Sequence, residues 1–185
     1  MITKKKLNGK DILLVLLYLP GKGQKINEPI IGKTRLMKTM FLFEKELYKN
    51  FNNIDGETLP EFFTYDYGPF SNELLDSIKF FEMSNFIEEK STGFSLLEPE
   101  WKEYLYNINN DVGYGNNLGI FDVNIPGEVK YQLTKNGIKY VEENILDKIN
   151  EEQKKVLIKF KKKINTLSLD AILEYVYNKY PESCY

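Results

Sequence analysis

The chain has 185 residues, of which 42% are hydrophobic and 28% charged, a composition typical of one soluble domain or of one domain with a small appendage. It has no His and a single Cys, Cys184, which excludes a Ser-His-Asp triad, a Cys-His dyad, a His-based zinc site and an internal disulfide. The formal net charge of −2 conceals a net charge of +7 in residues 1–50 and of −9 in residues 51–100. These two segments either form oppositely charged surfaces, or their charges cancel because the segments fold against each other.

The first predicted element is a buried helix over residues 8–19, which ends at Pro20. Its apolar run, Ile12–Leu19, is too short to span a bilayer, and the residues after it lack a small-x-small cleavage site. We therefore expect no membrane partner. The single Cys fits a reducing, cytoplasmic setting.

The second predicted helix covers residues 32–51 and is strongly amphipathic. At about 100° per residue its apolar face holds Leu36, Met40, Phe43, Leu47 and Phe51, with Leu42 as the exception on the polar side. Lysines on one helix face can neutralise nucleic-acid phosphates, and an Arg can add a bidentate contact. The alternative is an ordinary solvated face. The candidate nucleic-acid-binding residues are Lys33, Arg35, Lys38, Lys45 and Lys49.

The third predicted helix covers residues 72–87, with Ser71 as its N-cap, after a short strand at Phe62–Tyr65 and a turn at Asp66–Pro69. Its solvent side should be acidic and apolar, whereas a helix that reads DNA presents Arg, Lys, Asn or Gln. Such a face favours docking of a protein, unless the C-terminal helices bury its apolar members. The candidate protein-interaction residues are Asn72, Glu73, Asp76, Phe80 and Met83.

Residues 88–133 have the pattern of a β-rich region. The predicted elements are strands at Phe94–Leu97, Ile120–Val123 and Val129–Leu133, a helix at Trp101–Ile108 and a surface loop at Asn107–Gly119.

Three further helices are predicted at the C-terminal end of the chain. Thr134 caps the first, the second contains Val156–Ile164, and Ser168 caps the last. The lysines of the second form a second basic patch, but they surround the helix instead of aligning, so a solvated helix is the better interpretation: they are Lys154, Lys155, Lys159, Lys161, Lys162 and Lys163. These helices could also join two copies of the chain as a homodimer.

The element order predicts a helix-rich α+β protein, with a winged-helix core in residues 1–133 and a helical extension in residues 134–185 packed on it. In a winged helix, the third helix is normally the reader of the major groove and the β hairpin is the wing.

Four segments resemble known winged-helix proteins. Gly32–Phe43 and Phe63–Ser71 resemble the second helix and the strand-to-helix turn of the YwgA-like proteins, and Leu173–Glu182 is similar to their closing helix. The Tyr-Gly-Pro turn at residues 67–69 also resembles the Panacea domain of SocA-like antitoxins. Tyr131–Gly137 looks like a strand-to-helix exit common in winged helices. The resemblance implies a winged-helix fold and either DNA binding or neutralisation of a toxin, and it carries no catalytic residues.

One pattern imitates an enzyme. Asp111 or Asp122, followed by Glu128-Val129-Lys130, resembles the carboxylates and lysine of a metal-dependent nuclease, but Pro126-Gly127 interrupts the strand and the spacing is loose. A strand of the wing is the better interpretation. We expect no catalytic residue, metal or cofactor.

Two functions therefore remain as hypotheses. The leading one is a non-enzymatic regulatory or defence-associated winged-helix protein that contacts DNA through the basic face of the second helix. The alternative is an antitoxin-like or anti-defence module that binds a partner protein through helix 72–87.

Overall fold

The computed structural model describes residues 6–65, 68–91 and 129–184. Helices dominate, with one small antiparallel sheet, which confirms the α+β class. No helix in these ranges is both long enough and apolar enough to cross a bilayer. In chain order the elements are α1 (Gly9–Tyr18), β1 (Ile30–Ile31), α2 (Lys33–Leu42), α3 (Asn72–Met83), β2 (Ile87–Ser91), β3 (Val129–Leu133), α4 (Lys135–Asn144), α5 (Glu151–Thr166) and α6 (Leu169–Lys179).

The predicted elements at 94–97, 101–108, 107–119 and 120–123 lie outside the described residues, as do Asp111, Asp122 and Glu128 of the nuclease-like pattern.

Helix α1 forms the centre of the core. Asn8 caps it through a reciprocal pair of hydrogen bonds with Asp11, and every side chain from Ile12 to Leu17 is fully buried. The prediction of a buried first helix is confirmed. An α-helix enclosed in this way needs partners for the carbonyls of its last turn, because water cannot reach them.

The sheet has the strand order β1-β3-β2, and both pairs are antiparallel. The strand at Val129–Leu133 is confirmed, but the strand predicted at Phe62–Tyr65 is wrong, since only Phe63 forms a bridge there, to Phe70. Helix α3 also ends earlier than predicted, at Met83, and β2 follows it. Phe86 continues the apolar periodicity of α3, yet its ring stacks on Tyr140 from α4, with the centroids 4.7 Å apart.

The second helix changes character along its length. After α2 the chain forms a π-helical turn over Phe43–Leu47 and a 3₁₀ turn over Tyr48–Asn50. All side chains from Leu36 to Phe43 are buried, including Leu42 and Lys38, which were predicted to lie on the polar side. The reason is that α6 packs against α2, as the 5.3 Å contact between the rings of Phe41 and of Tyr180, the C-cap of α6, illustrates.

The three C-terminal helices are confirmed with their predicted caps. The side chains of Thr134 and Ser168 accept hydrogen bonds from the first turns of α4 and α6. Asn150, which was not predicted, caps α5 in a reciprocal pair with Gln153. These caps settle where each helix starts and so which face of each meets the core.

Lys161 of α5 supplies the donors that the end of α1 needs. Its side chain is 0% exposed, and its Nζ donates to the carbonyls of Leu17, Leu19 and Glu28 at 2.9, 2.6 and 2.5 Å. Burial lowers the pKa of Lys161 to about 7, against the opposing effect of the Glu28 carboxylate. Of the lysines predicted to be solvated on this helix, Lys161 is therefore part of the core.

Replacing Lys161 with Met should lower the free energy of unfolding by about 2–4 kcal/mol, because three buried carbonyls lose their donor. Urea denaturation followed by far-UV circular dichroism measures this. Lys162→Met is the matched control on the same helix, where an exposed side chain should change stability by less than about 0.5 kcal/mol. Equal effects of the two substitutions would contradict the structural role of Lys161.

The native protein and Lys161→Met, compared at several pH values, also test the lowered pKa of Lys161. The folded pKa of Lys161, about 7, lies below its ordinary value of 10.5, so between these values the unfolded chain binds more protons than the folded one. The stability lost in Lys161→Met should therefore grow as the pH is raised from about 6 to about 9. Lys38 is present in both proteins, so its own titration cancels. A difference that shrinks with rising pH would contradict the lowered pKa.

Candidate functional site

The basic face predicted on the second helix does not form. Lys38 is 3% exposed, and its Nζ donates to the carbonyl of Pro69 at 2.9 Å. Burial lowers the pKa of Lys38 to about 8. The expectation that Lys38 lies at the surface, in reach of a phosphate, is wrong because α6 and the segment before α3 cover it.

Arg35, the candidate for a bidentate contact, is occupied by the protein itself. Its Nη1 donates to the carbonyls of Ile164 and Leu167, each at 2.7 Å, and its Nε donates to the carbonyl of Ile31 at 3.1 Å. Ile164 and Leu167 are the end of α5, so the guanidinium caps that helix. The single Arg of the chain therefore joins α2 to α5.

The remaining basic residues of the second helix are scattered. Lys33 is half-buried at the start of α2, and Lys45 and Lys49 are exposed beyond Leu42. Lys45 forms an ion pair with Glu44 at 3.2 Å and lies over the ring of Phe41. Because the π-helical turn separates these lysines from α2, the five candidates do not share one face.

The acidic and apolar residues predicted on helix three do share one face. Ser71 caps α3, which turns Leu74, Ser77, Ile78 and Phe81 inward. The outward side chains are all exposed, and the two apolar ones are conspicuously so, with Phe80 at 54% and Met83 at 89%. The C-terminal helices do not bury Phe80 or Met83, so the interpretation that they cover this face is wrong. The outward residues are the five predicted ones, Asn72, Glu73, Asp76, Phe80 and Met83, together with the basic residue Lys79.

A groove of about 540 Å³ runs beside this face, between α3, the start of α1 and residues 57–60. Leu13, Met40 and Leu74 form its apolar floor, and Phe80 stands at its edge. Lys10 Nζ lies 5.3 Å from the centroid of the Phe80 ring, which leaves the other side of the ring toward solvent. The groove thus extends the exposed apolar surface of α3 into a concave site.

The rim of the groove is predominantly acidic. Lys10 is the basic residue among those that line it, whereas Glu57, Glu73 and Asp76 are acidic. Glu73 also has a structural role, since its Oε2 accepts a hydrogen bond from the main-chain N–H of Glu61 at 3.0 Å. Asp76 and Glu57 are both exposed, so these two carboxylates can meet a ligand.

Sequence reasoning missed the groove because it arises from long-range packing. Its wall at residues 57–60 approaches α1 at Gly9, whose N–H donates to Thr58 Oγ1 at 2.8 Å. A Cβ at Gly9 would collide with the main chain of Thr58. Gly is costly inside a helix, so Gly9 directly after the cap was the available signal of a close approach.

Comparison with known proteins adds no family to this description. No protein-family model, curated protein or solved structure matched the chain. Within the described residues no group of three or more His, Cys, Asp or Glu could hold a metal ion.

The structural assignment of Arg35 predicts a large effect on stability. Arg35→Gln should lower the free energy of unfolding by about 2–3 kcal/mol, because the carbonyls of Ile164 and Leu167 lose a charged donor. Lys45→Gln, the control, removes an exposed cation from the same segment and should cost less than about 0.5 kcal/mol. Urea denaturation measures both. If Arg35→Gln is as stable as the native protein, Arg35 does not act as the cap of α5.

Proposed function

We propose that this protein is a non-enzymatic winged-helix protein that binds a partner protein through α3 and the adjoining groove. The element order α1-β1-α2-α3-β2-β3 and the strand order β1-β3-β2 support a winged-helix core. In that arrangement α2 and α3 form the helix-turn-helix pair, and the antiparallel β2 and β3 belong to the wing. Helix α3 then occupies the position of a recognition helix.

The joint exposure of Phe80 and Met83 carries the proposal. Both lie in water on the face where a DNA reader would present hydrogen-bond donors, and carboxylates accompany them. Carboxylates repel DNA phosphates, whereas burying an aromatic ring and a thioether against a partner removes apolar surface from water. The face is therefore suited to protein and unsuited to DNA.

The groove defines what such a partner should carry. The apolar floor beside Phe80 suits a bulky apolar side chain of the partner. Asp76 and Glu57 suit Lys or Arg residues that flank this side chain in the partner. We expect the partner to present a short amphipathic segment with one apolar anchor and basic neighbours. A toxin-neutralising role, as the Panacea resemblance implies, is one setting in which such a segment would be bound.

Nucleic-acid contact through the second helix is the weaker proposal. The predicted mechanism is phosphate neutralisation by Lys38, Lys45 and Lys49 with a bidentate contact from Arg35. Of these, Lys38 and Arg35 donate to carbonyls inside the fold. Lys45 and Lys49 alone do not make an aligned surface.

Selection from a random peptide library displayed on phage tests the proposed site without knowledge of the natural partner. Enriched peptides should contain an aromatic or Leu residue flanked by Lys or Arg. The double variant Phe80→Ala/Met83→Ala should weaken their binding about 10-fold or more, as expected for a central apolar contact. Asp76→Asn should weaken it less, because a carboxylate at the rim contributes mainly charge.

The matched control is Ile26→Ala/Phe63→Ala, which removes two apolar side chains of comparable exposure, 55% and 45%, outside the groove. It should leave binding unchanged, and circular dichroism should show all variants folded. Enrichment of acidic peptides, or equal binding by the native protein and the α3 double variant, would refute the proposed site.

A further inference from the structure

The outer face of α5 carries an aligned group of lysines. Lys155, Lys159 and Lys162 follow the spacing i, i+4, i+7, so they lie on one side of the helix, and all three are exposed. We call them the α5 lysine stripe. The opposite side holds Leu157, Phe160, Lys161 and Ile164, all buried. Three of the six lysines of this helix thus align, whereas Lys161 lies on the buried side and Lys154 lies off the stripe.

Little within the described part of the chain neutralises the α5 lysine stripe: the Glu151 carboxylate, one turn before Lys155, interacts with it electrostatically. Lys154, which lies off the stripe, forms the ion pair with Glu151 at 2.8 Å. Lys163, at the edge of the stripe, lies over the ring of Tyr175, with Nζ 5.0 Å from the centroid. For the three members of the stripe themselves, the described ranges contain no ion pair and no side-chain hydrogen bond.

Within α5, Glu151 attracts Lys155, but the lysines of the stripe repel one another. Like charges at i, i+4, such as Lys155 and Lys159, destabilise a helix by about 0.2–0.5 kcal/mol per pair. Lys155 and Lys159 lie too far from the C-terminus of α5 to benefit from the helix dipole, and Arg35 already donates to the carbonyls there. A concentration of positive charge that folding does not require is a surface for an anion.

We propose that the α5 lysine stripe binds the phosphate backbone of a nucleic-acid duplex. Its members are about 6 Å and about 4.5 Å apart along the helix axis, close enough for flexible side chains to reach successive phosphates of one strand. Lysine acts as a point charge, so the contact is independent of base sequence. The outer face has no aromatic residue on which single-stranded bases could stack, which favours a duplex.

This surface is separate from the groove and does not depend on the function proposed for it. The groove lies between α1 and α3, whereas α5 packs against α1 and α2. The apolar face of α5 is buried, so the helix has no side with which to enter a lipid bilayer. A polyanion that offers only phosphate charge therefore fits the stripe better than a membrane does.

The test measures binding of the full chain to a labelled DNA duplex of about 20 base pairs by fluorescence anisotropy at several salt concentrations. With three phosphates neutralised, affinity should fall about 40-fold between about 50 and about 200 mM salt. Lys155→Gln/Lys159→Gln/Lys162→Gln should weaken binding at the lower salt by about 10-fold or more and flatten the salt dependence. The matched control, Lys25→Gln/Lys135→Gln/Lys139→Gln, removes the same charge from exposed positions outside both the stripe and the second helix and should bind like the native chain.

Urea denaturation should show both triple variants folded, because every replaced side chain is exposed. Absence of binding at low salt would overturn the proposal, and so would an equal loss in both variants, which would trace binding to net charge alone. Tighter binding to vesicles of phosphatidylserine and phosphatidylcholine than to the duplex would assign the stripe to a membrane surface instead.

Discussion

The ammonium group of Lys161 lies inside the protein, where it donates to three main-chain carbonyls at and beyond the end of α1. Helix α1 is enclosed by the rest of the fold, so these carbonyls depend on a donor from within the protein. Arg35 has the same role at the end of α5, where it donates to the main-chain carbonyls of Ile164 and Leu167. These two cations connect α1, α5 and α2 in series.

This use of cations inside the fold explains why surface charge does not follow charge along the chain. Residues 1–50 carry a net charge of +7, yet Lys38 and Arg35 direct their charges toward main-chain carbonyls. The aligned basic surface comes instead from α5, in a part of the sequence with little net charge. Within the acidic segment, residues 51–100, α3 does present carboxylates to solvent, because it covers the core with one side only. The molecule therefore has an acidic, apolar surface at α3 and a basic one at α5.

The groove beside α3 depends on the same packing. Its floor contains Leu13 of the enclosed helix α1, and its wall closes on Gly9 because no side chain intervenes there. Phe80 and Met83 remain exposed since α4, α5 and α6 occupy other sides of α1, the sheet and α2. In the proposed function, α3 offers these apolar and acidic groups to a polypeptide.

Local chemistry made much of the architecture predictable. The caps Ser71, Thr134 and Ser168, the breaker Pro20 and the 3.6-residue periodicity located most helices, because these signals act between residues a few positions apart. The exposed side of α3 was predicted residue by residue for the same reason. Periodicity failed at Phe86, whose apolar side chain continues the helical pattern but packs on Tyr140 after the helix has ended.

The sequence by itself determined the class of fold, the buried first helix, the outward residues of α3 and the exclusion of His- and Cys-based catalysis. Only the tertiary structure decided which lysines meet solvent. The sequence does not show whether the ammonium group of a lysine faces water or a main-chain carbonyl. Its environment depends on which helix packs over the lysine. Lys38 and Lys161 turned inward for this reason, Arg35 became a cap, and Lys155, Lys159 and Lys162 were left at the surface.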